Sequence, residues 1–277
     1  MIFRRPLPFT EALDSQAVRR LLPTDFTSGQ LAQLDPALLR RAQFSATVTD
    51  LDHLDELGGT YADIHAGRLD RATGRLRIKQ YLARKGYAPD PEKAGTLQDL
   101  SSDRRINLQL DTNVEMMRGL GSEIQGQEPA VLDMYPAREL VRVVDAKEPR
   151  DWNARWDEAR AATIAEGATA SSEGRLIALV GHPIWKELNR FGNDYAPFDY
   201  GSGMGLRDIS RREAMRFDLI GRDTQIFPSQ APRPDRNVQT SSAVRDPRLK
   251  AALEKTGLGR FDAEGVFRLV PTEEGSA

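Results

Sequence analysis

The chain has 277 residues, of which 39% are hydrophobic and 29% charged, and its formal net charge is −2. This length suits one large or two modest domains with a sizeable core, and the near-neutral charge implies no attraction of the whole molecule to nucleic acid. The absence of cysteine excludes disulfides, thiolate zinc sites, iron–sulfur clusters and cysteine nucleophiles.

The sequence contains no run near the roughly 18 apolar residues of a transmembrane helix. Its opening, MIFRRPLPFTEALDS, holds two arginines without an apolar stretch behind them, so we expect no secretory signal. These features predict a protein that is made and used in a cytoplasm and does not associate with a membrane.

Residues 1–27 are typical of an N-terminal arm with a short helix. The apolar, proline-interrupted opening favours an extended segment that lies on the protein's own body or on a partner. Thr10 and the acidic turn that follows it predict a helix over 10–22, which Pro23 ends.

Residues 128–222 differ in pattern from the mostly helical residues 28–127. The helical part has apolar spacing that predicts helices over 28–44, 50–65, 69–85 and 97–125. In the following part, the alternation of apolar and polar residues over 139–145 predicts a strand, and the apolar run 175–180 predicts a second strand buried on both faces. The small, polar stretch EGATASSEG between them predicts an exposed loop.

Residues 223–277 indicate a linker followed by a small C-terminal docking module. The stretch SQAPRPDRNVQTSS has linker composition, 246–255 predicts a short helix, and 259–270 predicts a hairpin. The module is too small to be stable alone, so it is expected to dock on the body or on a partner. The predicted class is α+β, with a mainly helical N-terminal half, a small mixed α/β domain with few strands and this appended module.

The residues that most often carry chemistry form no recognisable catalytic set. The three histidines have no metal-ligand spacing, and His182 precedes a proline, which favours a turn role. The glycines of 201–205 (GSGMG) lack the following lysine of a phosphate loop and predict a turn with positive φ. Neither a metal site nor a cofactor is predicted.

Two serines and two aspartates are the remaining candidates for catalytic residues. Ser202 and Ser210 lack the Gly-x-Ser-x-Gly elbow of a nucleophile. Asp199 and Asp208 are the best carboxylate pair, although Asp208 suits an N-cap or loop role beside the capping-box spacing of Ser210 and Glu213. A small hydrolase-type enzyme would need a pocket made by Asp199, Ser202, Asp208 and Arg211.

The basic run 68–85, which includes the predicted helix 69–85, holds seven Lys or Arg and only Asp70 in opposition. Its cations would suit DNA phosphates, a contact in an assembly, or neutralisation by the five acidic residues of 50–63. These three interpretations stay open. The candidate basic face consists of Arg68, Arg71, Arg75 and Lys79.

The stretch 182–220 is dense in aromatic residues, prolines and glycines. Its aromatic side chains, together with apolar residues of the N-terminal arm, are candidates to bury against partner subunits, or alternatively form the core of their own domain. The core alternative is strongest for Trp185 and Phe198. The candidates are Phe3, Leu7, Phe9, Trp185, Phe191, Tyr195, Phe198 and Tyr200.

Several stretches resemble the phage Mu F-like minor head proteins, over about residues 90–222. They are GTLQDLSSD (95–103), TNV (112–114), GQ (126–127), EPRDW (148–152), RW (155–156), HPIW (182–185), RFG (190–192), PFDYGSGM (197–204) and DISR (208–211). The string PFDYGSGM is the most specific. Many members of the wider family end this domain with a His and a Cys-Arg-Cys string, which this chain lacks.

The resemblance implies a non-enzymatic minor head protein of a tailed bacteriophage or prophage. Such a protein is made in the bacterial host cytoplasm and resides in the virion head, in several copies per particle. Its implied partners during head morphogenesis are portal and capsid proteins, possibly with scaffold. A DNA-contacting assembly factor and a small hydrolase-type enzyme are the alternatives.

Overall fold

The computed structural model describes residues 9–17, 19–145, 149–164, 166–229, 247–263 and 265–269. Eleven α-helices and three small sheets lie within these residues, so the predicted α+β class and the mainly helical N-terminal half are confirmed. The chain forms two compact units, one of Met1–Leu110 with Pro234–Ala277 and one of Asp111–Arg233. The four-segment organisation of the sequence stays a prediction.

The N-terminal part of the first unit is mostly helical. It contains α1 (Thr10–Ala17), β1 (Arg20–Leu21), α2 (Ser28–Leu31), α3 (Pro36–Arg40), β2 (Ala42–Gln43), α4 (Leu51–His65), α5 (Arg71–Arg84) and the start of α6 (Asp103–Gly126). The Asp50 and Asp70 side chains accept backbone hydrogen bonds at the starts of α4 and α5. Each such cap contributes about 1 kcal/mol, so these two helices begin where local chemistry places them.

Three of the predicted helices are wrong in extent, and one of them, predicted over 97–125, begins only at Asp103. The single helix over 28–44 is divided into α2 and α3, because Pro36 cannot continue a helix but can begin one. The helix over 10–22 ends at Ala17, and the chain then forms β1, which pairs in parallel with β2. Strand pairing with a distant segment thus overrides the local helical preference.

The C-terminal helix and hairpin are confirmed, and they complete the core of the first unit. α11 (Pro247–Lys255) precedes β6 (Gly259–Phe261) and β7 (Phe267–Leu269), which pair antiparallel. Their buried side chains pack with those of residues near the N-terminus. This core cluster contains Leu22, Phe26, Leu31, Leu34, Leu38, Ala42, Leu253, Leu258 and Phe267.

The second unit holds a three-stranded antiparallel sheet with short helices. The rest of α6 leads into α7 (Pro129–Met134), β3 (Ala137–Arg142), α8 (Trp152–Ala162), β4 (Ile177–Leu179), α9 (Ile184–Leu188), β5 (Met204–Ile209) and α10 (Arg211–Arg216). The strand order is β4-β3-β5. The core is aromatic: the Trp185 ring lies 5.4 Å from that of Trp156 and 6.1 Å from that of Phe198.

The loop predicted over 166–174 is exposed at Glu166 and over 172–174 but not throughout. Ala168 and Thr169 are buried, and the Thr169 backbone N–H donates to the carbonyl of Ile177 at 2.8 Å. The loop therefore covers the outer edge of β4, whose backbone groups need partners. The sequence also gave no prediction of α8 and β5.

We predict opposite effects of Gly→Ala at two helical positions. Gly59→Ala on α4 meets only the Arg77 side chain at 3.7 Å and should raise the free energy of unfolding by up to about 1 kcal/mol. In Gly119→Ala on α6, the added Cβ would overlap the carbonyl of Ala196 and approach the Tyr195 ring to 2.8 Å. This substitution should lower the free energy of unfolding by about 1–3 kcal/mol. Urea unfolding measures both changes in free energy, and stabilisation by Gly119→Ala would contradict the close packing of Gly119 against Ala196.

The C-terminal module should be needed for stability of the first unit. Phe267 is fully buried, so Phe267→Ala should lower the free energy of unfolding by about 3–5 kcal/mol. Phe227 is 75% exposed, and Phe227→Ala serves as the matched control with little expected change. Equal effects of the two substitutions in chemical denaturation would be evidence against docking of the module.

Candidate interaction surface

The segment 197–204, which carries the most specific part of the resemblance, joins α9 to β5. Phe198 is fully buried, Asp199 and Ser202 are buried, and Tyr200 is 39% exposed. The segment turns at Gly201 and Gly203, whose φ angles of 56° and 64° confirm the predicted positive-φ turn for these two glycines, whereas Gly205 lies in β5. The segment thus places one ring in the core and the next at the surface.

Three arginines converge on the buried carboxylate of Asp199. The distances from its oxygens are 3.2 Å to Nη1 of Arg155, 3.5 Å to Nε of Arg150 and 3.8 Å to Nε of Arg190. The backbone N–H of Tyr200 also donates to Asp199, at 2.8 Å. Among the described residues no second carboxylate pairs with these arginines, so within this group of four side chains the positive charges exceed the negative one by two.

Aromatic rings hold two of these arginines in place. The guanidinium of Arg155 lies 4.5 Å from the ring centre of Trp152, and that of Arg190 lies 5.6 Å from the ring centre of Tyr200. The Phe191 ring packs edge-on against Tyr200 at 4.9 Å. Burial raises the pKa of the Tyr200 phenol above its ordinary value, so this side chain stays neutral. Stacking fixes guanidinium orientation and reduces the entropy lost on binding.

Two exposed apolar side chains flank the turn that follows Tyr200. Val143 and Val144 are 61% and 64% exposed, and their backbone N–H groups donate to the carbonyl of Gly203 at 2.8 and 3.1 Å. Arg150 donates to the carbonyl of Tyr200 at 2.9 Å. We call the set of Val143, Val144, Arg150, Arg155, Arg190 and Tyr200 around Asp199 the arginine–tyrosine surface.

The predicted partner-binding residues have different environments. Phe3 and Leu7 lie outside the described residues, and Phe9 and Phe191 are half-buried. Tyr200 is exposed. Trp185, Tyr195 and Phe198 are buried in the second unit, so a partner would reach them only if that core opened.

Most cations of the candidate basic face, at α5 and just before it, pair with nearby acids. Arg68 pairs with Asp63 at 2.6 Å, Arg75 and Lys79 pair with Asp103 at 3.5 and 2.8 Å, and Arg71 is half-buried. A further cation of the helix, Arg77, pairs with both Glu56 and Asp63 at 2.6 Å. These ion pairs would compete with a phosphate backbone for the same cations, and DNA binding by this face stays a prediction.

The side chains considered for catalysis have separate structural partners. Nδ1 of His182 accepts from the backbone N–H of Ile184 at 3.1 Å, and its Nε2 donates to the carbonyl of Glu166 at 3.0 Å. Oγ of Ser202 accepts from the backbone of Met204 at 3.3 Å. The His182 and Ser202 side chains therefore form hydrogen bonds to backbone groups.

The N-cap role considered for Asp208 is wrong. Asp208 lies on β5 with its side chain 62% exposed, and Ser210 caps α10 instead. Arg211 donates to the carboxylate of Asp133 and the carbonyl of Thr224, at 2.8 Å each. No group of three or more metal-ligating side chains occurs within the described residues. In that same part of the chain, no helix has the length and apolar character needed to cross a bilayer.

The sequence did not indicate the convergence of arginines on Asp199. The only local signal is the spacing of Trp152 and Arg155, which places the two side chains on one side of a helix. Arg190 comes from a distant segment, and its position depends on the packing of α8 against α9.

Comparisons with known proteins give no relative of this chain. No family model, no curated protein and no solved structure matches it.

Loss of the Asp199 charge should destabilise the second unit. Asp199→Asn keeps an acceptor for the Tyr200 N–H but leaves three arginines without a counter-ion, so we expect a loss of about 1–2 kcal/mol, moderated by the partial exposure of the arginines. Asp208→Asn is the control, with an expected change below about 0.5 kcal/mol. Urea unfolding at low and high salt tests this, and equal losses for both variants would contradict it.

His182 should make stability depend on pH. Burial lowers the pKa of its imidazole below the ordinary value of 6.5. The unfolded chain then binds the proton more readily, so this contribution to stability is complete above pH 6.5 and is lost as pH falls through the folded-state pKa. His182→Asn, which does not titrate, should show a weaker fall in the free energy of unfolding. Parallel pH profiles for the two proteins would exclude the effect.

Proposed function

We propose that this chain is a non-enzymatic minor head protein of a tailed bacteriophage or prophage. It would bind portal and capsid proteins during head assembly and remain in the virion head. The observation that carries the proposal is the environment of residues 197–204. The segment with the most specific resemblance to Mu F-like proteins exposes Tyr200, and its Asp199 pairs with three partly exposed arginines from other segments.

The composition of the arginine–tyrosine surface supports binding to another protein. Tyrosine and arginine are the residues that most often anchor protein interfaces, because each combines a large apolar area with hydrogen-bond donors. Val143 and Val144 add apolar area beside them. Because Asp199 and Trp152 already orient the arginines, less side-chain entropy is lost when a partner binds.

The candidate catalytic side chains already have structural partners, which also favours binding over catalysis. His182 and Ser202 bond to backbone groups, and Asp199 serves as a counter-ion. A general base or nucleophile needs a free lone pair or hydroxyl facing a substrate. The hydrolase alternative would therefore require these side chains to leave their present partners.

The test is incorporation into particles. The chain is co-expressed with the portal and major capsid proteins encoded beside it, and the purified particles are analysed by quantitative mass spectrometry. We expect several copies per particle for the wild type, and a strong loss for the Arg150→Glu/Arg190→Glu double variant, because it reverses charges at the arginine–tyrosine surface.

The matched control is the double variant Arg84→Glu/Lys255→Glu. Both residues are exposed and lie in the first unit, so the change in net charge is the same while the arginine–tyrosine surface is intact. Wild-type copy numbers are expected for this control. Absence of the wild-type chain from particles, despite its soluble expression, would refute the proposed function.

A further inference from the structure

We infer that the arginine–tyrosine surface binds an acidic segment of a partner protein, one that carries at least two carboxylates beside an apolar side chain. The inference rests on the proposed function and specifies the chemistry of the partner at the same surface.

The number of carboxylates follows from the charge on the surface. Arg150, Arg155 and Arg190 share the single carboxylate of Asp199, whose side chain is only 8% exposed. The guanidinium of Arg190, which is 54% exposed, and that of Arg150, which is 37% exposed, keep N–H groups available to solvent. Two carboxylates would neutralise the surplus charge, and each planar guanidinium can bind a carboxylate through two parallel hydrogen bonds.

The apolar requirement follows from two exposed valines that are hydrogen-bonded to the turn after Tyr200. Val143 and Val144 are exposed and consecutive, and both bond to the backbone of Gly203 in the turn that follows Tyr200. A Cβ at position 203 would overlap the Val144 carbonyl, so glycine is required for this close approach. An apolar partner side chain would cover these valines while the carboxylates meet the arginines.

Two observations favour a protein over a nucleic acid as the partner. A protein that makes about 6–10 phosphate contacts needs as many cations, whereas the described arginines around Asp199 exceed its charge by two. Arginine and tyrosine are enriched at protein interfaces, and two exposed valines flank the same turn.

The test measures binding of defined probes to the full chain by fluorescence anisotropy. The probes are a labelled glutamate-rich peptide with interspersed leucines, the same peptide with glutamine in place of glutamate, and an oligodeoxythymidine. We expect the acidic peptide to bind with an affinity that falls as salt is raised, and the glutamine peptide to bind at least about tenfold more weakly. The oligodeoxythymidine should also bind more weakly than the acidic peptide.

The same variants test the location of the site. Arg150→Glu/Arg190→Glu should weaken binding of the acidic peptide at least about tenfold, and Arg84→Glu/Lys255→Glu should leave it within about twofold. Arg150→Gln/Arg190→Gln, a milder change, should give an intermediate loss. Near-UV circular dichroism of the three tryptophans, all buried in the second unit, verifies that each variant is folded.

Three results would overturn the inference: equal binding of the glutamine peptide, binding of the oligodeoxythymidine alone, or equal loss in the two charge-reversed variants. Each is distinguishable from failure of the proposed function, which is measured by incorporation of the wild-type chain into particles. Incorporation without binding of the acidic peptide would reject the acidic partner alone. Binding of the peptide at this site would support the inference whatever the outcome of the particle experiment.

Discussion

A buried carboxylate requires compensation by cations or hydrogen-bond donors, and Asp199 sets this requirement for the second unit. Its neighbour Phe198 is fixed in the aromatic core, so the carboxylate cannot turn toward solvent without moving that ring. The cations are Arg155 on α8, Arg150 just before the cap of α8, and Arg190 after α9. The charge of the surface is therefore a consequence of how the core is packed.

The parts of the fold that the sequence predicted correctly are those with strong local signals. α4 and α5 have aspartate caps and amphipathic spacing, and the C-terminal hairpin has a turn with glycine at positive φ. Where the sequence failed, a distant segment or a proline decided the outcome. Pairing with β2 ends the first helix early, and Pro36 divides the second.

The candidate surface was beyond sequence reasoning for a different reason. The sequence identifies the aromatic residues of 182–220 as candidates, but the periodicity of so irregular a segment does not distinguish buried rings from exposed ones. Phe198 and Tyr200 lie two residues apart, a spacing that would place them on the same face of a strand, yet they have opposite environments because the segment is irregular. The arginines around Asp199 became a group only through tertiary packing.

The division of the chain into units has a consequence for synthesis on the ribosome. The second unit is one continuous stretch, Asp111–Arg233, whereas the first unit is made from both ends of the chain. The core that contains Leu22 and Phe26 is complete only when Leu253 and Phe267 have also been synthesised. The usual order, in which N-terminal domains fold first during translation, is therefore reversed. The nascent chain therefore exposes apolar residues of its first unit until α11 and the C-terminal hairpin have been synthesised, and such exposed surface is prone to aggregation.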